Sequence, residues 1–171
     1  TNHSEADYYV GDDMLAKAFG GFGTGFQFKG FDLGVDFQYQ IGGKVYDGEY
    51  QTLMSGMAGY GFHKDILNAW TPENRNTDIP RFQYNDQYTA ASSDRFLVDA
   101  SYLNFQNAQI GYTFPSTLTS KLKVDKIRVY ATCDNIVYWS RRHGFDPRTS
   151  FSGGTSYEGN SPVRTISFGL N

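Results

Sequence analysis

Hydrophobic and polar residues alternate strictly along one ten-residue stretch, FDLGVDFQYQ at positions 31 to 40. Phe31, Leu33 and Val35 begin a series of apolar or aromatic residues at every odd position, and polar residues or glycine take the even positions. This period of two predicts a β-strand with one apolar and one polar face. The pattern suits a strand between a protein core and water, and equally one between lipid and a water-filled lumen.

The same alternation recurs elsewhere in the chain and predicts about five antiparallel strands. Their bounds are about 20–29, 31–42, 102–114, 124–139 and 163–171. Leu103 and Phe105 have the opposite parity to Ala108 and Ile110, which predicts a bulge near Gln106 or a strand end that packs inward. The connections alternate in length. The turns at 29–32 and 115–123 are short, and the loops at about 43–101 and 140–162 are long.

Short turns at one end of a sheet and long loops at the other are typical of outer-membrane barrels. Residues 31–41 would span about 36 Å at roughly 3.3 Å per residue, and a tilt of about 45° reduces this to about 26 Å. The apolar band of such barrels is roughly 25 Å tall, whereas soluble strands usually have about 5 to 6 residues. We therefore predict an all-β fold, an antiparallel transmembrane barrel with long extracellular loops, with a soluble β domain as the alternative.

Composition agrees with β structure. Aromatic residues make up 17% of the 171 residues and there are 19 glycines, which favours strands joined by many turns. The net charge of −3 does not indicate a nucleic-acid partner. The sequence contains no run of about 18 apolar residues, so it predicts no membrane-spanning helix. No secretory signal is visible at Thr1, so we expect a mature chain or one that begins inside something larger.

The sequence predicts no enzyme. The three histidines are scattered singly, without the spacing of a metal site, and the lone Cys133 can form neither an internal disulfide nor a zinc pattern. The glycine-rich GGFGTG lacks the Lys-Ser/Thr pair of a phosphate-binding loop. We therefore expect no catalytic residues, no metal and no cofactor.

In a barrel, the odd residues of the opening stretch would face lipid and the polar ones the lumen. An unpaired carboxylate on the lipid face would cost several kcal/mol. The predicted lumen-facing residues are Asp32, Asp36, Gln38, Gln40, Arg128 and Asp134. A nearby pair of aspartates can suggest acid–base chemistry, but a hydrated lumen wall is the simpler interpretation.

The long loops supply the predicted ligand-facing or lid-facing residues, because a large polar ligand needs stacking aromatics and hydrogen-bonding side chains. The candidates of the first loop are Tyr46, Tyr50, Tyr60, Trp70, Asn74 and Arg75. Those of the second loop are Trp139, Arg141, Arg142 and Asp146. The alternative is that these side chains pack the loops against each other or against a lid.

Long motifs also carry a family resemblance. GGFGTGFQFKGFDLGVDFQYQIGGKVYD resembles a hairpin near the C-terminus of SusC/RagA-type TonB-dependent transporters. WTPENRNTDIPR resembles a loop signature of that family. DRFLVDASYLNFQNAQIGYTFP, IRVYATCDNIVYWSRRHGFDP and PVRTISFGLN resemble its following strands. The matches cover nearly the whole chain, in order.

The resemblance implies a 22-stranded outer-membrane barrel with an N-terminal plug and a SusD-like surface lipoprotein as its lid. Such transporters import glycans or peptides in Bacteroidetes-type bacteria, driven by the TonB complex. This chain would then be about five C-terminal strands of a multi-pass outer-membrane protein, in contact with membrane lipid, the rest of the barrel and the plug. The family usually continues past SFGLN to a terminal aromatic, and this chain stops at Asn171. A soluble carbohydrate-binding β domain and a surface adhesion protein are the rival hypotheses.

Overall fold

The computed structural model describes residues 13–56, 59, 61–84, 86, 89, 91–142, 144–149 and 162–171. Its main feature is a five-stranded antiparallel sheet, which confirms the predicted fold class. The described residues of 16–42, 100–148 and 162–171 form one compact unit, which contains the sheet, and residues of 43–99 form the body of a second.

The sheet has the strand order β1-β2-β5-β6-β7, so that β1 and β7 are its edges. These strands are β1 (Ala18–Phe28), β2 (Phe31–Ile41), β5 (Tyr102–Thr113), β6 (Arg128–Ser140) and β7 (Thr165–Leu170). The start of β6 was predicted too early, at about 124. Lys123 adopts a left-handed conformation with φ of 56° and ends a 3₁₀ turn there. The backbone pairing between the end of β5 and the start of β6 therefore begins later, where the Phe114 N–H donates to the Ile127 carbonyl.

A two-residue turn joins β1 to β2. Lys29 and Gly30 both have positive φ, 46° and 89°, as a type I′ turn requires. The turn places Phe28 directly opposite Phe31 and fixes the register of the hairpin. That register puts the even residues of β1 and the odd residues of β2 on one face.

The predicted bulge near Gln106 is confirmed. Asp36 lies opposite Asn107 and Phe37 opposite Phe105, so Gln106 is the extra residue of β5. Strand β6 also has an irregularity opposite this bulge, at Asn135, whose φ is 52°. Asn is one of the few residues that adopt this conformation readily. The bulge keeps the apolar residues on both sides of it on the same face of the sheet.

One face of the sheet is apolar across all five strands. Phe37 stacks between Phe22 and Phe105, with ring centroids 5.0 and 4.6 Å away. Near the short turns, Phe31 and Tyr112 are 4.5 Å apart. The described residues do not cover this face. Phe22 is 55% exposed, and many of its neighbours on the face are exposed to a similar degree. The large exposed side chains of this face include Phe26, Phe28, Phe31, Leu33, Ile41, Leu103, Ile110, Trp139, Ile166, Phe168 and Leu170.

The second unit contains short elements that the sequence pattern did not reveal. Strands β3 (Lys44–Tyr46) and β4 (Leu97–Asp99) pair antiparallel, although residues of about 43–101 were expected to form a loop. Three residues are too few to show a period of two. Helix α1 (Gly48–Met54) begins at Asp47, whose carboxylate accepts from the Tyr50 N–H at 2.9 Å.

Two 3₁₀ elements follow α1 in this unit, a helix at Lys64–Asn68 and a turn at Asp94–Phe96. The small core of the unit is formed by Val45, Met54, Ala69 and Phe96.

The remaining helical turns are short and lie in the connections of the sheet. They are α2 (Ser116–Thr119) and the 3₁₀ turns Ser120–Leu122 and Pro147–Thr149. Among the described residues, no helix is both long and apolar enough to span a membrane.

Candidate functional site

The polar face of the sheet brings together all six residues that were predicted to share a face. The pairing of Asp32 with Gly111 and of Asp36 with Asn107 puts the even residues of β2 beside the polar residues of β5. The pairing of Asn107 with Asp134 extends this face to β6. The shared set is Asp32, Asp36, Gln38, Gln40, Arg128 and Asp134.

An ion pair crosses this polar face from β6 to β2. Arg128 donates from Nε and Nη2 to the two carboxylate oxygens of Asp32, at 3.1 and 2.5 Å. The pair can reach across β5 because Gly111 lies between the two partners, and a Cβ there would be only 2.6 Å from both charged groups. Two parallel hydrogen bonds to one carboxylate are a strong and directional form of ion pair.

The other polar residues of this face differ in how they are held. Asn107 donates from Nδ2 to Asp134 Oδ1 at 2.7 Å, which fixes that carboxylate against β5. Asp36 and Gln38 are exposed. Side-chain hydrogen bonds therefore link β2, β5 and β6 on this face. The accessible carboxylate is that of Asp36, which lies beside β1.

A buried cluster at the long-loop end of the sheet was not predicted from the sequence. Arg148 donates from Nε and Nη2 to Asp146 at 2.8 and 2.6 Å, and from Nη1 to Asn104 Oδ1 at 2.8 Å. Its guanidinium lies 4.5 Å from the Tyr138 ring centroid. Asn104 is fully buried, and it donates from Nδ2 to Gln106 at 2.5 Å. The cluster ties the start of the second long loop to β5 and β6.

Asp146 was expected to face a ligand, but it is 7% exposed and engaged with Arg148. The hydrogen bond from Arg148 to Asp146 raises the pKa of the Arg148 guanidinium above its usual value. The side chain therefore stays charged at every physiological pH. No spacing signal in the sequence distinguishes this pair from a solvated Asp-Pro-Arg turn.

Tyr46 and Tyr50 of the first loop pack inside their own unit. The Tyr50 hydroxyl donates to Asp65 Oδ2 at 2.9 Å, and its ring meets His63 edge-on at 4.8 Å. The Tyr46 ring contacts Phe96, and its buried hydroxyl has no hydrogen-bond partner among the described residues. These contacts fit the alternative that the loop aromatics pack the loop itself.

Arg95 is a half-buried cation of this unit. Its guanidinium lies 4.6 Å from the Phe96 ring centroid, and Nη2 donates to the Thr89 carbonyl at 2.8 Å. Burial lowers the pKa of Arg95 from its usual value. The residue was not among the sequence candidates, because a single arginine in a loop carries no distinguishing pattern.

The motif around Trp70 is a fixed loop. Asn74 donates from Nδ2 to the Asn68 carbonyl at 3.1 Å, and Arg75 donates from Nε to the Pro72 carbonyl at 2.9 Å. The Trp70 N–H donates to the Ile79 carbonyl, and its side chain is 41% exposed. Trp70 and Arg75 therefore offer accessible surface, while Asn74 supports the loop. Tyr60 lies outside the described residues.

Trp139 is not in a loop. Strand β6 continues to Ser140, and Trp139 pairs with Leu103 on the apolar face. The strand was predicted to end at 139, so the tryptophan was counted with the loop that follows. Arg141 and Arg142 do follow the strand, and the Ser140 hydroxyl donates to the Arg142 carbonyl at 3.0 Å. In the part of the chain that the structure describes, no group of three His, Cys, Asp or Glu side chains could hold a metal ion.

No family model matches the chain. Over 98% of its length it is 28% identical to TonB-dependent receptor P3 of Formosa agariphila, and it covers 17% of that protein. TonB-dependent receptor P26 of the same organism is 26% identical over 88% of the chain, which covers 16% of that relative. The chain thus spans about a sixth of the length of the curated relatives that it matches.

Solved structures give the same result. A chain of the RagAB peptide importer in the open-open state superposes with a TM-score of 0.73 at 25% identity, over 94% of this chain and 17% of that one. A chain of the closed-closed state gives a TM-score of 0.76 at 25% identity, over 94% and 17% of the two chains. The resemblance to SusC/RagA-type TonB-dependent transporters that the sequence motifs carry is thereby confirmed.

Proposed function

We propose that this chain forms part of the wall and the external loops of an outer-membrane importer that is driven by TonB. The observation that carries the proposal is the uncovered apolar face of strands of 11 to 13 residues, set against a continuous polar face. Monomeric soluble proteins rarely expose apolar patches larger than a few hundred Å². Lipid on one side and a hydrated lumen on the other account for both faces.

The length of the strands supports the same arrangement. β2 has 11 residues and β6 has 13. Strands of this length, tilted by about 45°, cross an apolar band of roughly 25 Å. On this proposal Asp32, Asp36 and Arg128 face the lumen, where water and a plug can solvate them.

The proposed cargo is a large nutrient, a glycan or a peptide, held by the loops before it enters the lumen. Trp70 and Arg75 are the best placed contacts, because both are exposed on a loop whose backbone is fixed. The similarity to RagAB, which is named as a peptide importer, supports a peptide over a glycan. The proposed partners are the remainder of the barrel with its plug, a SusD-like surface lipoprotein and the TonB complex.

The rival functions are a soluble carbohydrate-binding domain and a surface adhesion protein. A soluble domain would bury its apolar sheet face against its own chain, and the described residues do not bury it. An adhesion protein could share the barrel, so uptake has to be measured directly. Deletion of the exposed part of the loop around Trp70, in an assembled barrel, should abolish uptake of the nutrient if the chain serves import.

Brominated lipids test the orientation of the sheet, because bromine quenches tryptophan fluorescence only on contact. The complete protein is placed in bilayers with and without brominated acyl chains, as wild type, Trp139→Phe and Trp70→Phe. Trp139 lies on the apolar face, so quenching should fall in Trp139→Phe. Trp70 lies in a loop, so Trp70→Phe should leave the quenched signal unchanged and serves as the matched control. Equal quenching of wild type and Trp139→Phe would contradict the lipid-facing assignment.

A further inference from the structure

We propose that the short-turn edge of the sheet binds anionic phospholipid headgroups at the membrane surface. The short-turn edge consists of residues 29–30, which join β1 to β2, and 114–127, which join β5 to β6. The inference rests on the proposed function, because it requires the apolar face to lie in lipid. It adds a ligand class and a binding surface to that function.

The two connections form one continuous edge. The Thr113 N–H donates to the Gly30 carbonyl at 2.7 Å, and the Phe114 N–H donates to the Ile127 carbonyl at 2.9 Å. The turn and the longer connection are thus joined through the backbone ends of β5 and β6. Side chains from both connections can act on the same stretch of membrane surface.

Positive charge is concentrated on this edge. Its charged residues are four lysines and one aspartate, Lys29, Lys121, Lys123, Lys126 and Asp125. All four lysines are exposed. The adjoining Asp32 and Arg128 neutralise each other through their ion pair. By contrast, residues 43–101 of the first long loop carry five Lys or Arg and eight Asp or Glu, so the edge and that loop have net charges of opposite sign.

Apolar side chains stand among these lysines. Leu118 is 52% exposed and Val124 is 43% exposed, in the same connection as Lys121 and Lys123. The Lys29 ammonium lies 5.2 Å from the Phe28 ring centroid, at the margin of the apolar face. Lysines beside exposed apolar groups are the pattern of a surface that lies in the lipid headgroup region.

An acidic segment of a partner protein is the competing occupant. It would use the lysines, but it would leave the exposed Leu118 and Val124 and the aromatic margin at Phe28 without a role. An anionic lipid uses both, because its phosphate meets the lysines while its acyl chains continue along the apolar face. Lipid is therefore the occupant that the surface favours.

The test uses the complete transporter purified in mild detergent. Heat-modifiable migration on a gel first establishes that the barrel is folded. Dioctanoyl-phosphatidylglycerol and dioctanoyl-phosphatidylcholine are then titrated, and bound lipid is counted by native mass spectrometry. We expect the anionic lipid to bind more tightly to wild type, and its affinity to fall about tenfold in the variant Lys121→Gln/Lys123→Gln. The matched control, Lys64→Gln/Arg81→Gln, removes two positive charges from the first long loop and should bind as wild type does.

Equal affinity for the two lipids, or an anionic preference that survives Lys121→Gln/Lys123→Gln, would overturn the inference. A folded barrel without lipid preference overturns this inference alone. A wild-type protein that never forms a heat-modifiable barrel would overturn the proposed function together with it.

Discussion

At the scale of single residues, the cluster around Arg148 shows how a loop is attached to the sheet. The side chains of Arg148 and Asp146 are 9% and 3% exposed, so neither charge has water as an alternative partner. Removing one member of such a buried pair leaves the other charge uncompensated, which costs far more than the net stabilisation from the intact pair. The attachment is therefore sensitive to any change of a single partner.

We predict that Arg148→Met destabilises the barrel loops by about 3 kcal/mol. The carboxylate of Asp146 and the amide oxygen of Asn104 would both lose a donor. Hydrogen exchange of residues 144–149 should rise in the complete protein, and its thermal unfolding should shift to lower temperature. The double variant Arg148→Met/Asp146→Leu should recover part of the loss, because no buried charge remains. An Arg148→Met protein with unchanged exchange would show that the cluster does not anchor the loop.

The sign of the pH dependence follows from the same contact. Asp146 raises the pKa of Arg148, so the stabilisation is fully present below the ordinary arginine pKa and is lost only as the pH rises through the higher folded value. Acidification leaves Arg148 protonated, so it does not remove the positive charge of the ion pair. Mutation, rather than alkaline pH, is the practical way to break the contact.

At the scale of elements, the bulges in β5 and β6 decide which side chains share a face. Leu103 and Phe105 join Ala108 on the apolar face only because Gln106 interrupts the alternation. Deleting Gln106 would bring Phe105 next to Asn107, as their partners Phe37 and Asp36 already are. The alternation would become regular, and Leu103 and Phe105 would stay on the apolar face. Bulges are thus as much a part of the pattern as the alternating residues are.

We predict that the barrel still assembles after deletion of Gln106 and after the substitution Gln106→Ala, because both changes keep Leu103 and Phe105 on the apolar face. The substitution keeps the extra residue and loses only the hydrogen bond from Asn104. The fraction of heat-modifiable protein in the outer membrane measures the outcome. Loss of assembly on deletion alone would contradict this and show that the extra residue itself is essential.

The elements also show what the sequence could and could not predict. The five strands of the sheet and the bulge were predictable, because strands of 6 to 13 residues show a period of two often enough to be counted. Strands β3 and β4 were not, because three residues show no period. The ends of β6 were misjudged at both sides, since the left-handed Lys123 and the extension to Ser140 leave no mark in the alternation.

The candidate site likewise has one part that the sequence could predict and one part that it could not. Its polar face could be predicted, because parity alone assigns Asp32, Asp36 and Asp134 to one side. The Arg148 cluster could not, because it joins residues 44 positions apart in a loop and a strand. Contacts at that distance depend on tertiary structure, which no local pattern encodes.

At the scale of the whole molecule, the two faces of the sheet should respond oppositely to the same charge. We predict that Val35→Arg costs about 2 to 4 kcal/mol, the usual cost of arginine on the lipid face near the middle of a membrane. Gly34→Arg is the matched control, one residue away on the polar face, where a Cβ would meet nothing within 4 Å. Denaturant unfolding of the complete barrel refolded into lipid gives both values. Similar costs for the two variants would argue against lipid on the apolar face.

The strand order carries a practical consequence for anyone who isolates this segment. Within the part of the chain that the structure describes, strands β1 and β7 each pair with a strand on one side only, so both are edges of the sheet. Such edges recruit any available strand, including those of identical molecules. Produced by itself, the 171-residue chain should therefore stack into aggregates. A failure of the isolated segment to bind nutrient would reflect self-association and would carry no information about transport.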